Sequence, residues 1–192
     1  MNLILASESP YRKELLERLN LSFSCVPAHI NEESVWEKSL SPLEVSIELA
    51  KMKALKVFTA NKNSIIIGSD QVICQGQKIF GKPKTPDNAV AQLIELQKAP
   101  HELITSVCIL SKDKEVTFSN KTTLTIRKDL TKNDFIKYIE KDVPLNCAGS
   151  YKVESMGIAL FDSIETTDFT SIVGLPLIDL AKQLKQFNVS IF

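Results

Sequence analysis

A mixed α/β fold, with a β-sheet flanked by helices, follows from three features of the sequence. Strand-like apolar runs stand at residues 3–6 and 64–68. Apolar residues at helical spacing follow the pairs Ser9-Pro10, Ser41-Pro42 and Thr85-Pro86, where proline suits the first helical position. Residues 101–127 change to strand alternation. The elements do not repeat as strict βαβ units.

In chain order, Leu3 to Ala6 reads as a buried strand. Ser9-Pro10 then opens a helix carrying Leu15, Leu16 and Leu19. Leu21 to Val26 reads as a second strand, and residues 27–40 as loop with at most one helical turn. Trp36, in that stretch, reads as a core or loop anchor. Ser41-Pro42-Leu43-Glu44 has the form of a capping box, and Ile47, Ala50, Ala54 and Val57 mark one face of a helix reaching Ala60. Three consecutive isoleucines in 64–68 predict a central strand buried on both faces. It is expected to end at Gly68-Ser69-Asp70-Gln71, with a small hairpin of residues 72–74 and 78–80 following around Gly76. A helix after Thr85-Pro86 buries Ala89, Leu93 and Leu96. Two antiparallel strands, 104–110 and 116–126, turn at Lys112-Asp113-Lys114. Thr131 caps a helix through Asp134, Gly157 to Phe161 reads as a short strand, and the last helix covers 177–184.

The chain has 192 residues with 23 basic and 23 acidic side chains, so its net charge is zero with histidine neutral. That balance gives no support to a general nucleic-acid binder. With 44% apolar and 24% charged residues the chain should fold rather than remain disordered. Its length suits one domain over residues 1–192, or two small fused lobes, with no separable linker. The opening MNLILASESPYRKELL reads as a strand and helix rather than a signal peptide, and no apolar run approaches a membrane span. The four cysteines form no CxxC pair and read as buried free thiols. Two histidines leave a histidine zinc site or catalytic triad unsupported.

Three places could carry chemistry. A strand running through a tight turn into a helix aims free N–H groups above the strand end, where Ser7 and Ser9 add hydroxyls and Arg12 and Lys13 add positive charge. Cations gain nothing from the dipole at that helix end, so a bound polyphosphate explains them, unless they form only a solvated face beside a cap. Asp70 follows the isoleucine strand as a catalytic or metal-binding carboxylate, or as a turn former. Glu32, Glu33 and Lys82 could join it, since metal-assisted phosphoryl chemistry needs carboxylates for Mg²⁺ or Mn²⁺ and cations for phosphate oxygens. Lys53, on the helix of Ala50 and Ala54, reads by itself as a snorkelling lysine. Gly149-Ser150-Tyr151 with Glu154 could cradle a base, or be a turn with a packed tyrosine.

The segment LASESPYRKELL resembles the opening signature of the Maf nucleotide pyrophosphatases, the septum-formation Maf-like proteins. The resemblance continues through Glu32, Leu49-Ala50-Lys51-Met52-Lys53-Ala54, Gly68-Ser69-Asp70-Gln71, Gly81-Lys82-Pro83, Ala148-Gly149-Ser150 and Gly174-Leu175-Pro176. It implies a Maf/Ham1-like fold, an elongated mixed sheet in two lobes around a cleft. It also implies cytoplasmic hydrolysis of nucleoside triphosphates between the α and β phosphates, with a divalent metal and a homodimer. By the same resemblance Asp70 is the catalytic acidic residue, and Ser7, Arg12, Glu32, Lys53 and Lys82 match a conserved polar pocket. The mechanism these residues suggest has Glu32 and Asp70 holding the metal and Ser7, Ser9, Arg12, Lys13, Lys53 and Lys82 binding phosphate. Lys13 stands where the signature usually has arginine, which keeps charge but loses a bidentate contact. Asn31 stands where many members have aspartate, which removes one possible metal ligand.

Tyr11, Gln71 and Glu154 occupy the positions that separate the family's specificity groups, and resemble the 7-methyl-GTP group, although tryptophan is more usual than Tyr11. N7-methylguanine carries a ring charge that an aromatic face attracts by roughly 0.5–2 kcal/mol. Glu154 could accept its N1 and N2 hydrogens. A dTTP/UTP or broader pyrophosphatase, and a non-catalytic nucleotide-binding regulator of septum formation, are the competing readings.

Overall fold

A computed structural model describes residues 2–36 and 38–192 without the side chains of Glu33 and Trp36, so the expectations for those two side chains fall outside the described set. The strands run in the order β2 (Phe23–Cys25), β1 (Asn2–Leu5), β3 (Ser64–Gln75), β5 (His101–Leu110), β6 (Glu115–Ile126) and β7 (Phe161–Glu165), with β4 (Lys78–Phe80) on β3, and the pairing mixes parallel and antiparallel contacts. The chain divides into two compact units. The first comprises Met1–Gln71, Thr105–Asn120 and Asp168–Phe192, and the second Val72–Ile104 and Lys121–Thr167.

In the first unit β1 (Asn2–Leu5) pairs in parallel with β2 (Phe23–Cys25) and with β3 (Ser64–Gln75). Strand alternation sends Leu3, Leu5, Ile65 and Ile67 to one face. There they meet Leu15 and Leu16 of α1 (Pro10–Glu17) and Leu180 and Leu184 of α7 (Leu177–Leu184). Ile4 and Ile66 face the other way, onto Ala50, Ala54 and Val57 of α3 (Pro42–Phe58). Ser41 and Glu44 close the expected capping box of α3.

Small residues set how close α3 comes to β3. A Cβ on Gly68 would lie 2.3 Å from the Ala50 carbonyl oxygen and 2.7 Å from the Ala54 nitrogen. Only glycine allows this approach, and Lys53 lies on the same stretch of α3.

Several boundaries differ from expectation. The isoleucine strand does not end at Gly68; β3 continues through Ser69, Asp70 and Gln71 to Gln75, so Asp70 lies within a strand. Ser-Asp-Gln has turn-like composition, but each of these side chains finds a distant hydrogen-bond partner that sequence spacing does not reveal. The second strand shrinks to three residues. The single helical turn anticipated in residues 27–40 is α2 (Glu33–Trp36). Cys25 is exposed and Cys147 half-buried rather than buried, while all four cysteines are free, as expected.

The second unit contains β4 (Lys78–Phe80), α4 (Pro86–Leu96), α5 (Lys132–Asp142) and β7 (Phe161–Glu165). The strands β3, β5 (His101–Leu110) and β6 (Glu115–Ile126) contribute one part to each unit. Thr85 and Thr131 cap α4 and α5 as their sequences predict. Ala89, Leu93 and Leu96 on α4 and Phe135 and Ile139 on α5 are buried. The stretch expected as a strand at Gly157–Phe161 is instead a 3-10 turn, Met156–Leu160, with β7 beginning at Phe161. A Cβ on Gly157 would lie 2.4 Å from the Lys152 carbonyl oxygen, so the chain doubles back here too tightly for a strand.

His101 is completely buried beside Tyr151 and Phe161, and its Nε2 lies 3.1 Å from the Tyr151 hydroxyl. Its Nδ1 has no partner among the described residues. Burial pushes the ring's pKa down to about 4, against about 6.5 in an unfolded chain. The folded state then binds fewer protons between those values. Stability is complete above the unfolded pKa and is lost as pH falls through the folded one. This residue should cost roughly 3 kcal/mol of stability between pH 7 and pH 4. Urea unfolding of wild type and His101→Gln at the two pH values checks it. The pH-dependent loss should shrink by that amount in the variant, and an unchanged loss would show that His101 titrates normally.

Candidate active site

The amino end of α1 assembles three of the expected phosphate-binding side chains. Past β1 the turn is held locally: the Ser9 N–H donates to Ser7 Oγ at 3.1 Å, and the Arg12 N–H donates to Ser9 Oγ at 3.4 Å. Both hydroxyls therefore act as caps and keep their own O–H to give to a ligand. Arg12 Nε donates to the Gly174 carbonyl at 3.0 Å, which leaves both terminal nitrogens without a hydrogen-bond partner among the described residues. Burial works against its charge, and the Asp70 and Glu32 carboxylates work for it.

Lys53 is the centre of the acidic part. Its ammonium pairs with Asp70 Oδ1 and, at 2.9 Å, with Glu32 Oε1. Only 14% of the Lys53 side chain is exposed, so its reading as a snorkelling surface lysine is corrected. Asp70 is 7% exposed. Burial raises its pKa above the ordinary carboxylate value, and Lys53 and then Arg12 pull it back down. The result is a desolvated carboxylate whose charge depends on two cations, an arrangement suited to a base.

Gln71, the next residue, is fixed by its amide nitrogen. The two hydrogens on Nε2 are shared among three acceptors, Thr105 Oγ1 at 3.0 Å, the Ser171 carbonyl at 3.0 Å and the Ile172 carbonyl at 2.9 Å. Two of these partners are carbonyls, so the amide can have only this orientation, and Oε1 is the end left to accept from a ligand.

Not all the expected residues join this group. Tyr11 is 41% exposed on α1. Lys13, two positions further along the helix, pairs with Glu17 at 3.7 Å and lines a recess with Leu21, Phe23 and Cys25. In the second unit, Lys82 and Glu154 both act on Cys147, whose pKa is raised by burial and Glu154 and lowered by Lys152 and Lys82. The Lys84 N–H donates to the Leu145 carbonyl, tying the Lys82 loop to the segment before Cys147. The alternative in which Ser150 and Tyr151 cradle a base is corrected. Tyr151 packs edge-on against Phe161 at 5.0 Å, and Ser150 Oγ is spent on Gln92. Ser69 was marked only by the Gly-Ser-Asp-Gln block, and the roles of Thr105 and of the Ser171, Ile172 and Gly174 carbonyls left no sequence signal beyond the Gly-Leu-Pro block.

The model of the Maf-like protein family matches residues 2–187, so this chain belongs to the Maf family. It is 42% identical to a 7-methyl-GTP pyrophosphatase from Bdellovibrio bacteriovorus over 97% of this chain and 97% of that protein. It is also 38% identical to a dTTP/UTP pyrophosphatase from Bacillus cereus, over 98% of this chain and 97% of that one. A solved HAM1 protein from Coxiella burnetii overlays with a TM-score of 0.47 at 14% identity, covering 97% of this chain and 99% of that chain.

The divalent ion implied by the family can be tested against the donor set. No group of three His, Cys, Asp or Glu residues suited to a metal stands among the described residues. Asp70 and Glu32 nevertheless converge on one cationic point, now filled by the Lys53 ammonium. Two carboxylates fit Mg²⁺ or Mn²⁺ when substrate phosphates and water complete the shell.

Replacing Lys53 with Met should raise the Asp70 pKa further. The acidic limb of the pH–rate profile should move up by about one pH unit or more. An unmoved limb would separate Asp70 from the rate-controlling ionisation.

Proposed function

We propose that this chain hydrolyses 7-methyl-GTP to 7-methyl-GMP and pyrophosphate. That it is a nucleotide pyrophosphatase, a hydrolase, rests on its family and its relatives. The observation that carries the mechanism is the buried Asp70 carboxylate held between Lys53 and Arg12. In this reading Asp70 takes a proton from water as the water oxygen attacks the α phosphorus. The bond from that phosphorus to the bridging oxygen breaks, and pyrophosphate leaves with the electron pair. Arg12 and Lys53 offset the charge gathering on the phosphate oxygens, with Ser7, Ser9, Lys13 and Lys82 assigned to the rest of the triphosphate. Glu32 and Asp70 would hold the divalent ion, which supplies Lewis-acid polarisation of the phosphate when bound.

The choice of base rests on hydrogen-bond polarity. Gln71 has its donors committed and offers an acceptor, and Glu154 is also an acceptor. Guanine's Watson–Crick edge presents N1–H and N2–H donors, whereas thymine and uracil place one donor between two carbonyls that would repel a carboxylate. Tyr11 is assigned to the charged ring of the methylated base. The dTTP/UTP alternative is supported by relatives of that name at 37–38% identity. Action as one two-lobed domain, a cytoplasmic location and a homodimer belong to the same proposal.

Product analysis with 7-methyl-GTP, GTP, dTTP and UTP, each with Mg²⁺ and Mn²⁺, tests the reading. Pyrophosphate rather than orthophosphate is expected, with 7-methyl-GTP turned over best; preference for dTTP would favour the alternative. Asp70→Asn should lower kcat by about a hundredfold or more while nucleotide still binds. Glu154→Gln should reduce kcat/KM for 7-methyl-GTP by about tenfold and leave dTTP nearly unaffected. Equal losses on both nucleotides would remove Glu154 from base selection.

A further inference from the structure

The Gly174 carbonyl accepts two hydrogen bonds: Arg12 Nε at 3.0 Å and Ser69 Oγ at 3.0 Å. We infer that Ser69 is a positioning residue for the phosphate-binding Arg12, acting through this shared carbonyl. The inference deepens the reading of Arg12 as a triphosphate ligand and rests on it.

Ser69 is completely buried, so its hydroxyl cannot touch substrate. Its one hydrogen-bond partner among the described residues is the oxygen that also fixes the Arg12 fork. Holding Nε in place orients the plane of the guanidinium, and with it the two terminal nitrogens that would grip phosphate. Gly174 suits the role in two ways. Its φ of +119° is closed to other residues without strain, and a Cβ there would sit 3.1 Å from Arg12 Nε and 3.4 Å from Arg12 Cγ.

The turn behind that carbonyl is itself fastened. The Asp168 carboxylate accepts from the Thr170 N–H at 2.9 Å, the Thr170 hydroxyl at 2.6 Å and the Ile178 N–H at 2.8 Å. Thr170 Oγ1 in turn accepts from the Leu177 N–H at 2.9 Å. Ser69 thus joins strand β3, one residue before Asp70, to a braced turn, and Arg12 is aimed from that joint.

A double-mutant cycle tests it, with KM for the nucleotide and inhibition by inorganic tripolyphosphate as readouts. Ser69→Ala should raise KM and weaken tripolyphosphate inhibition by the same factor, about three- to tenfold, with kcat within about twofold. Arg12→Ala should weaken both more strongly, and Ser69→Ala should then add nothing in the Arg12→Ala background. Thermal melting checks that each variant is folded; if Ser69→Ala is not, Ser69→Cys, with its weaker donor, should show a smaller loss of the same kind. If Arg12→Ala leaves tripolyphosphate inhibition unchanged, the phosphate role of Arg12 fails and this inference falls with it. If Arg12→Ala weakens inhibition but a folded Ser69 variant does not, or adds its full factor in the Arg12→Ala background, the positioning role is overturned while the phosphate role stands.

Discussion

The site depends on one interaction, the pairing of the Lys53 ammonium with the buried Asp70 carboxylate. A carboxylate removed from water tends to take up a proton, and a protonated Asp70 could not act as a base. Lys53 and Arg12 work against that uptake. Lys53 can do so because α3 runs unusually close to β3, and that closeness requires a residue without a side chain at Gly68. A packing constraint in the core thus sets the electrostatics of the site.

A second design feature is the use of backbone carbonyls as anchors. Arg12 and Gln71 each have one end fixed to the segment after Asp168, through the carbonyls of Gly174, Ser171 and Ile172. Their other ends are left for a ligand, so little side-chain freedom has to be lost on binding. In the first unit the orientation of Arg12 and Gln71 comes from a single fastened turn.

Much of this was legible in the amino acids. Caps at Ser9, Ser41, Thr85 and Thr131 declare themselves because a capping hydrogen bond is local and has a fixed spacing. The triple isoleucine marks a strand buried on both faces for a similarly local reason. The continuation of β3 through Ser69-Asp70-Gln71 was not legible, because polar residues stay in a buried strand only when distant partners receive them. Those partners, Lys53, Gly174 and Thr105, are 17, 105 and 34 residues away. For the same reason Lys53 looked like a surface lysine by spacing alone, and its pairing follows from the approach of α3. Tyr151 read either as part of a base cradle or as a packed tyrosine in a turn, and its packing against His101 and Phe161 selects the second.

The most direct test is a carboxyl ¹³C NMR titration of Asp70 in the resting protein. The account predicts a midpoint above the ordinary value of 3.8, with the carboxylate fully ionised at neutral pH. An Asp70 that still carries its proton at pH 7 would contradict it, since there would be neither an ion pair with Lys53 nor a base to activate water.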